Sequence, residues 1–198
     1  MHRLYHREGA GRPRRVRWAF EEAGAPYEWI VMDEETGRGE EHARRHPLGR
    51  VPVLESDDGR LHESAAICLH VADLNPGSGL IAATGSHDRG RIYQWSFFAM
   101  TELETAMIAA IRAKRSDDEA ATTAAQARLA KAVAALEETL AGHDYLLGDE
   151  FTIADVIVGG VCFSARQYDV LPDAPNVAAY LERLDARPAK QRAYDDQP

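Results

Sequence analysis

The polar residues best placed to hold a small ligand lie in one short segment, residues 50–64, with the sequence RVPVLESDDGRLHES. Arg50 stands at its start, and Glu63 and Ser64 stand at its end. The apolar spacing changes from strand-like to helical at Ser64, so we expect this residue to be the N-cap or a first-turn residue of a helix. Helix starts carry unpaired N–H groups that attract carboxylates. The segment therefore predicts a site for a carboxylate-bearing small molecule.

The same segment predicts a β-hairpin that leads into this helix. Residues 51–54 are a short aliphatic run, residues 56–59 are a polar turn ending in glycine, and residues 61–63 form the expected returning strand. Pro52 cannot donate to a strand ladder, so it is either an edge residue or a kink, and its peptide bond is a candidate for the cis form. In either case we expect the main chain of Val51 to stay available to a ligand.

The residues before the hairpin predict the rest of a small sheet. The patterns indicate a first strand at 2–6, a helix at 14–23 that stops at Gly24, a second strand at 27–32, and a loop at 33–45 with at most a short helix. Only the first crossover demands a parallel pair, and the hairpin adds antiparallel strands. The predicted product is a mixed four-stranded sheet.

A cluster of Pro, Gly and Ser at residues 75–85 separates this region from an almost purely helical second half. Apolar residues there recur at helical spacing, which predicts a helical bundle. We predict two domains, residues 1–76 and residues 87–198, joined by a linker at 77–86. The acidic C-terminal segment YDDQP, residues 194–198, is expected to fray.

Thr152 and Asp155 have the spacing of a capping box, because each side chain can bond the main chain of the other. We therefore assign them to the start of a buried helix and not to catalysis. Two short helices are expected after it, at 176–186 and from Pro188 onward.

Composition limits the functional classes. The net charge of −9 argues against a general binder of nucleic acid or of anionic membranes. Cys68 and Cys162 lie far apart in apolar helical patterns without CxxC spacing, which is typical of buried reduced thiols and of a cytoplasmic protein. The start is too polar for a signal peptide, and no apolar run approaches the roughly 20 residues that span a bilayer. We expect no metal, nucleic acid or membrane as partners.

The order of these motifs resembles the glutathione S-transferase family. The resemblance covers nearly the whole chain and rests on Val-Pro before a hairpin, Glu-Ser opening a helix, and the segments HRLYHR, RRVRWAFEEAGAPYEWIVMD, HPLGRVPVL and FTIADVIVGG. It implies α/β plus all-α architecture, with a thioredoxin-like N-terminal domain and an all-helical C-terminal domain. It also implies glutathione as co-substrate, a small hydrophobic electrophile as partner, and a homodimer.

The resemblance assigns the binding roles. Pro52 is expected to be cis, and Val51 to pair with the cysteinyl part of glutathione through its main chain. Glu63 and Ser64 are expected to hold the γ-glutamyl end, and Arg50 to pair with the glycyl carboxylate.

The group that activates the thiol is less clear from the residues. The usual position of the family's serine falls near Ala10 or Gly11, and no Ser, Thr or Cys occurs between His2 and Trp18. Tyr5 and His6 remain as donors, but strand alternation lets only one of them face the ligand.

Four arginines, at positions 12, 14, 15 and 17, surround the start of the first helix, although cations there oppose the helix dipole. We assign Arg12 to electrostatic support of the thiolate. Arg14 and Arg15 are expected in a solvated rim, and Arg17 is expected to pair with Glu21.

Two functions follow from these residues. The first is a transferase that conjugates glutathione to an electrophile, with Arg12, Tyr5 or His6 assisting the thiol. The second is a glutathione-binding or interaction protein that keeps the fold and lacks turnover. A glutaredoxin-like reductase is disfavoured, because no cysteine lies near the start of the first helix.

Overall fold

The computed structural model describes residues 1–33, 35–37, 39–116 and 118–194, and the chain folds as two compact units. The first unit contains Met1–Ile81 and the C-terminal segment from Pro188, and the second is Ala82–Arg187. The predicted domain bounds, 1–76 and 87–198, stay a proposal. Of the segment 194–198 that is expected to fray, Tyr194 ends the last helix, and residues 195–198 lie outside the described residues.

The first unit is built on a mixed four-stranded sheet, as predicted. Its order is β2-β1-β3-β4, with β1 parallel to β2 and both other pairs antiparallel. The strands are β1 Arg3–Arg7, β2 Glu28–Met32, β3 Val53–Ser56 and β4 Gly59–His62. The first strand of the hairpin begins at Val53, two residues later than predicted, because the preceding Pro52 has no N–H for the ladder.

Four α-helices belong to the described residues of this unit, besides a 3-10 turn at Pro76–Ser78. They are α1 Gly11–Ala23, α2 Glu40–Arg45, α3 Ser64–Leu74 and, at the end of the chain, α9 Pro188–Tyr194. Gly24 ends α1 in the left-handed conformation at φ 62°, as its position in the sequence predicts. The predicted domain bounds place the last helix in the helical domain, but it packs against α1, where Arg192 Nε donates to Glu21 Oε2 at 2.7 Å.

The start of α1 differs from the sequence prediction in two ways. The helix begins at Gly11, three residues before the predicted Arg14, because first-turn N–H groups need no partner and Pro13 is therefore tolerated. The prediction that Arg15 lies in a solvated rim is wrong, since its side chain is 1% exposed. Arg15 precedes buried Trp18 and Ala19 by three and four residues, so helical periodicity places it on the buried face.

The regular elements of the second unit are helices in the part of the chain that the structure describes, as predicted, apart from one isolated β-bridge between Tyr145 and Gly148. The unit contains α4 His87–Phe98, α5 Glu104–Lys114, α6 Glu119–Thr139, α7 Ile153–Gln167 and α8 Pro175–Asp185, and a π-helical stretch at Ala99–Leu103 connects α4 to α5. The predicted capping box is present at the start of α7, where Thr152 N–H donates to Asp155 Oδ2 at 2.8 Å. Asp155 is fully buried.

Cys68 and Cys162 form no disulfide, and both side chains are buried, as their apolar context predicts. Within the described ranges, none of the helices combines the length and the apolar character that crossing a membrane requires.

Candidate functional site

The two segments predicted to bind a ligand are brought together by the sheet. Val53 pairs with His62 across the antiparallel β3–β4 ladder. In this register, the residues just before Val53 lie beside those just after His62, which are Glu63 and Ser64. The hairpin therefore places the Val51–Pro52 segment next to the start of α3.

The start of α3 offers main-chain and side-chain groups to an anion. Glu63 is the N-cap, and the first intrahelical bond is Ile67 N–H to Glu63 O, so the N–H groups of residues 64–66 precede the helical ladder. Ser64 is 4% exposed, and its hydroxyl makes no hydrogen bond to any residue that the structure describes. Helix dipole and open N–H groups together favour a bound carboxylate.

Glu63 has an unusual main-chain conformation for a glutamate, with φ 70° and ψ 107°. A non-glycine residue at positive φ costs of order 1 kcal/mol, and such strain often marks a functional position. The Glu63 side chain is exposed and forms no salt bridge with a described residue. Its carboxylate is therefore available to a cationic group.

Val51 and Pro52 are joined by a cis peptide bond. Both residues are buried, and both precede the first ladder pair, Val53 with Tyr5. Among the described residues, no main-chain hydrogen bond involves Val51. The main chain of Val51 thus has no partner among the described residues, and its pairing with a ligand stays a prediction.

Arg50 has an exposed side chain, whereas its main chain is held in place. Its carbonyl accepts a hydrogen bond from Nε2 of His42 at 3.0 Å, and His42 is fully buried in α2. Within the described part of the chain, the guanidinium of Arg50 has no salt bridge. It remains available to an anion.

His42 and His46 were missed by the sequence prediction. His46 is 3% exposed, and its Nδ1 accepts the N–H of Leu48 at 3.0 Å. The available signal was two histidines four residues apart, His42 and His46, immediately before the Pro-Leu-Gly-Arg turn. Both were overlooked because the surrounding charged residues suggested a loop facing solvent.

Tyr5 lies on the side of the sheet that borders a cavity among the described residues. The cavity has a volume of about 1210 Å³, and Tyr5, Gly9, Ala10, Met32 and Arg45 are among the residues that line it. The Tyr5 hydroxyl, however, donates to Glu55 Oε1 at 3.4 Å. A hydrogen bond from Arg60 and the nearby charges of Arg60, Arg3 and Arg45 lower the pKa of Glu55, so this acceptor stays ionised.

His6 occupies the opposite side of β1, in agreement with the predicted alternation. Its ring stacks on Trp29 with the centroids 4.4 Å apart, and it does not line the cavity. The two donors suggested for the thiol are therefore engaged with other side chains.

Arg12 is the second residue of α1 and is half-buried. Ala10 is the N-cap of this helix, has no side-chain capping bond, and is followed by a first turn without acidic residues.

Arg14 lies over the ring of Tyr194 at 6.0 Å. Arg17 and Glu21, which are predicted to pair, are bridged by the hydroxyl of Tyr27. This hydroxyl accepts from Arg17 at 3.0 Å and donates to Glu21 at 2.7 Å.

Comparison with known proteins decides the family. The family model for the glutathione S-transferase N-terminal domain matches residues 2–73, and the model for the C-terminal domain matches residues 119–183. Glutathione S-transferase 4 of Zea mays is 33% identical over 192 residues, covering 91% of this chain and 86% of the relative. The chain belongs to the glutathione S-transferase family.

Two further relatives agree with this assignment. Maleylacetoacetate isomerase of Rhizobium meliloti (strain 1021) is 32% identical over 193 residues, covering 92% of this chain and 90% of the isomerase. A sphingomonad glutathione S-transferase, solved in complex with glutathione, has a TM-score of 0.82 at 32% identity and covers 96% of both chains. The predicted thioredoxin-like N-terminal domain and helical C-terminal domain are confirmed.

One sequence feature of this family member concerns the side chain that could donate to a thiol. The loop between β1 and α1 contains no Ser, Thr or Cys. This loop therefore offers no side-chain hydroxyl or thiol as a donor.

Proposed function

We propose that this protein conjugates the thiolate of glutathione to a small hydrophobic electrophile. The observation that carries the proposal is the juxtaposition of Val51–Pro52 with Glu63–Ser64, where main-chain groups, a hydroxyl and a helix start are all without partners among the described residues. The sphingomonad relative was solved with glutathione, which supports the same ligand here.

Each polar group of glutathione has a matching residue in this proposal. The γ-glutamyl carboxylate accepts from the Ser64 hydroxyl and from the N–H groups at the start of α3. Glu63 pairs with the ammonium group, and the Val51 main chain pairs with the cysteinyl residue. The exposed guanidinium of Arg50 receives the glycyl carboxylate.

The thiol is activated by electrostatics in this proposal. The start of α1, which follows the N-cap Ala10, supplies the positive end of the helix dipole, and Arg12 adds a full charge. These groups stabilise the thiolate over the thiol and so lower the thiol pKa from about 8.5. The sulfur then attacks the electrophilic carbon, and the leaving group departs or, for an epoxide, the ring opens.

Calorimetric titration with glutathione, followed by conjugation assays on aromatic halides and epoxides, tests the proposal. We expect binding together with turnover of at least one electrophile. Absence of glutathione binding would remove the proposed function altogether.

A second function rests on the missing hydroxyl of the β1–α1 loop. On this alternative the chain binds glutathione without turning it over. Binding without turnover across the panel, with the bound thiol at its free pKa, would favour the alternative over the transferase.

We also propose that the protein is a homodimer. Leu74 at the end of α3 is 50% exposed, and Phe97 of α4 is 66% exposed. Large exposed apolar side chains are suited to a subunit interface. Sedimentation showing only monomer at micromolar concentration would contradict this proposal.

A further inference from the structure

The segment that contains Arg50 and leads into Val51 is held in place by hydrogen bonds of two histidines. This segment, residues 46–50, leaves the end of α2 and makes a turn closed by Gly49 N–H to His46 O at 2.9 Å. Leu48 N–H donates to His46 Nδ1 at 3.0 Å, and His42 Nε2 bonds the Arg50 carbonyl at 3.0 Å. His46 thus holds the turn, and His42 holds Arg50, the residue that follows the turn.

These bonds define the protonation states of both rings. A carbonyl oxygen only accepts, so His42 carries its proton on Nε2, and its buried Nδ1 has no partner among the described residues. An N–H only donates, so His46 Nδ1 must keep its lone pair. The His46 contact therefore requires a neutral imidazole, whereas a second proton on His42 would lie on a buried Nδ1 that has no acceptor among the described residues.

The environment of each ring opposes a second proton. Burial lowers the pKa of His42, the charges of Arg7 and Arg45 lower it further, and the bond to the Arg50 carbonyl opposes them. Burial also lowers the pKa of His46, with His62, His42 and Arg50 acting in the same direction and Glu63 against them. The His46 and His62 rings are 4.9 Å apart, centroid to centroid.

The same interactions connect the histidines to the proposed glutathione site. The charges of Arg50 and Glu63 act on the pKa of His46. These two residues are the proposed partners of the glycyl carboxylate and of the ammonium group. A proton on His46 Nδ1 would face the Leu48 N–H and break that bond, because two donors cannot pair. The turn that positions Arg50 and Val51 would then lose one of the two hydrogen bonds that it makes with the histidine side chains.

We propose that neutral His42 and His46 are positioning residues that hold Arg50 and Val51 in place for glutathione, and that protonation of His46 weakens glutathione binding. The inference rests on the proposed function, because it concerns the same ligand. It concerns no atom that reacts, since both histidines act through the main chain of residues 48 and 50.

The sharpest test uses His46→Asn and His46→Ala in the full-length protein. An asparagine oxygen accepts the N–H two residues later in an Asx turn, so it replaces Nδ1 as the acceptor, but it does not titrate. The titration uses S-methylglutathione, which has no thiol to ionise and whose carboxylates stay charged between about pH 5 and pH 7, so a change in its affinity in that range reports the protein.

We expect the wild-type dissociation constant for S-methylglutathione to rise about fivefold to tenfold as the pH falls from about 7 to 5, which corresponds to the loss of one hydrogen bond. His46→Asn should bind like wild type at about pH 7 and show a flat profile. His46→Ala should be weakened about tenfold at both pH values. His42→Gln retains a donor near the Nε2 position and should bind more tightly than His42→Leu.

Two controls separate this inference from general effects. His143 is exposed in the second unit, and His143→Asn should keep the wild-type profile. His62→Asn removes the neighbouring ring. It should change the affinity at about pH 7 by less than about twofold, and it should reduce the acid effect by less than about twofold. A profile that flattens in His62→Asn and persists in His46→Asn would overturn the inference.

A ligand-free measurement distinguishes this inference from the proposed function. The Leu48 amide of the apo protein should lose hydrogen-exchange protection as His46 becomes protonated, and His46→Asn should remove this pH dependence. If that holds while the wild type binds no glutathione, the proposed function fails and the histidine-held turn stands. A Leu48 amide that does not respond to His46 overturns the inference, whatever glutathione does.

Discussion

The hydroxyl of Tyr5 donates to Glu55, 50 residues further along the chain, at 3.4 Å. Arg3 and Glu55 are direct partners in the β1–β3 ladder, so the bond turns the Tyr5 hydroxyl toward the start of β1. The loop that should hold the thiol follows the other end of this strand, at residues 8–10. The bond to Glu55 thus directs the Tyr5 hydroxyl toward the end of β1 that is remote from this loop.

Tyr5→Phe should therefore change kcat/KM for conjugation by less than about twofold, with a stability loss below about 1 kcal/mol from the long hydrogen bond. Phenylalanine keeps the ring beneath Arg45, whose guanidinium carbon lies 4.5 Å from the ring centroid. Steady-state kinetics and urea unfolding measure the two effects. A hundredfold or so loss of kcat in a folded variant would assign the thiol to Tyr5 after all.

Ser64→Ala should weaken glutathione binding by about tenfold while costing less than about 0.5 kcal/mol in unfolding free energy. Ser64 is the first helical residue and not the N-cap, and its hydroxyl bonds no described residue, so folding loses little. Calorimetry and urea unfolding report the two quantities separately.

Ser86→Ala is the matched control for Ser64→Ala, because Ser86 is a true N-cap whose oxygen accepts from Arg89 N–H at 3.1 Å. It should lower stability by about 1 kcal/mol and leave the dissociation constant unchanged. An affinity for glutathione that survives Ser64→Ala would remove Ser64 from the site.

Asp155 gives the protein a pH-dependent stability. Burial raises the pKa of Asp155 to about 6, from 3.8 for a free side chain, although Leu146, Thr152 and Tyr180 donate to it. The folded state therefore binds a proton more tightly than the unfolded state. The resulting stabilisation is complete below about pH 4 and is lost as the pH rises through about 6.

Asp155→Asn should remove that part of the pH dependence, which is at most about 3 kcal/mol for this shift. It should also destabilise the protein at every pH, because an amide cannot accept the N–H groups of both Leu146 and Thr152. Urea midpoints between about pH 4.5 and 7 measure this, with exposed Asp149→Asn as the control. Selective loss of turnover in a fully folded variant would contradict a purely structural role.

The sequence predicted the local features of this fold well and its long-range contacts poorly. The sheet, the Gly24 helix stop and the Thr152–Asp155 capping box follow from patterns a few residues long. The Tyr5–Glu55 bond and the His42–Arg50 bond depend on which elements pack together, and periodicity does not specify such pairings. Arg15 shows the same limit, because charge indicated solvent while its position on α1 fixed its burial.

Ala10→Ser should restore the hydroxyl missing from the β1–α1 loop. Ala10 is the N-cap of α1 and has extended main-chain angles, φ −82° and ψ 118°, which suit a serine cap. We expect a gain of about 1 kcal/mol in stability and a lower pKa for the thiol of bound glutathione. Thermal unfolding and thiolate absorbance against pH test both. Added stability without any change in the thiol would place residue 10 away from the sulfur.

Arg12→Ala should raise the pKa of the thiol of bound glutathione, because it removes the positive charge assigned to the thiolate. Thiolate absorbance in the ultraviolet, followed against pH in the bound complex, measures this pKa directly. Arg12→Lys keeps the charge and should restore most of the shift. Arg14→Ala is the matched control, since Arg14 lies two residues further along the same helix and packs over Tyr194.

Three mechanisms give different outcomes in this titration. Support by Arg12 predicts a large effect of Arg12→Ala and little effect of Tyr5→Phe or His6→Ala, since Tyr5 bonds Glu55 and His6 stacks on Trp29. A tyrosine or histidine donor predicts the reverse. A binding protein without turnover predicts a thiol with its free pKa in every variant. A wild-type value no lower than that of free glutathione would therefore exclude thiolate stabilisation by Arg12, whatever the variants show.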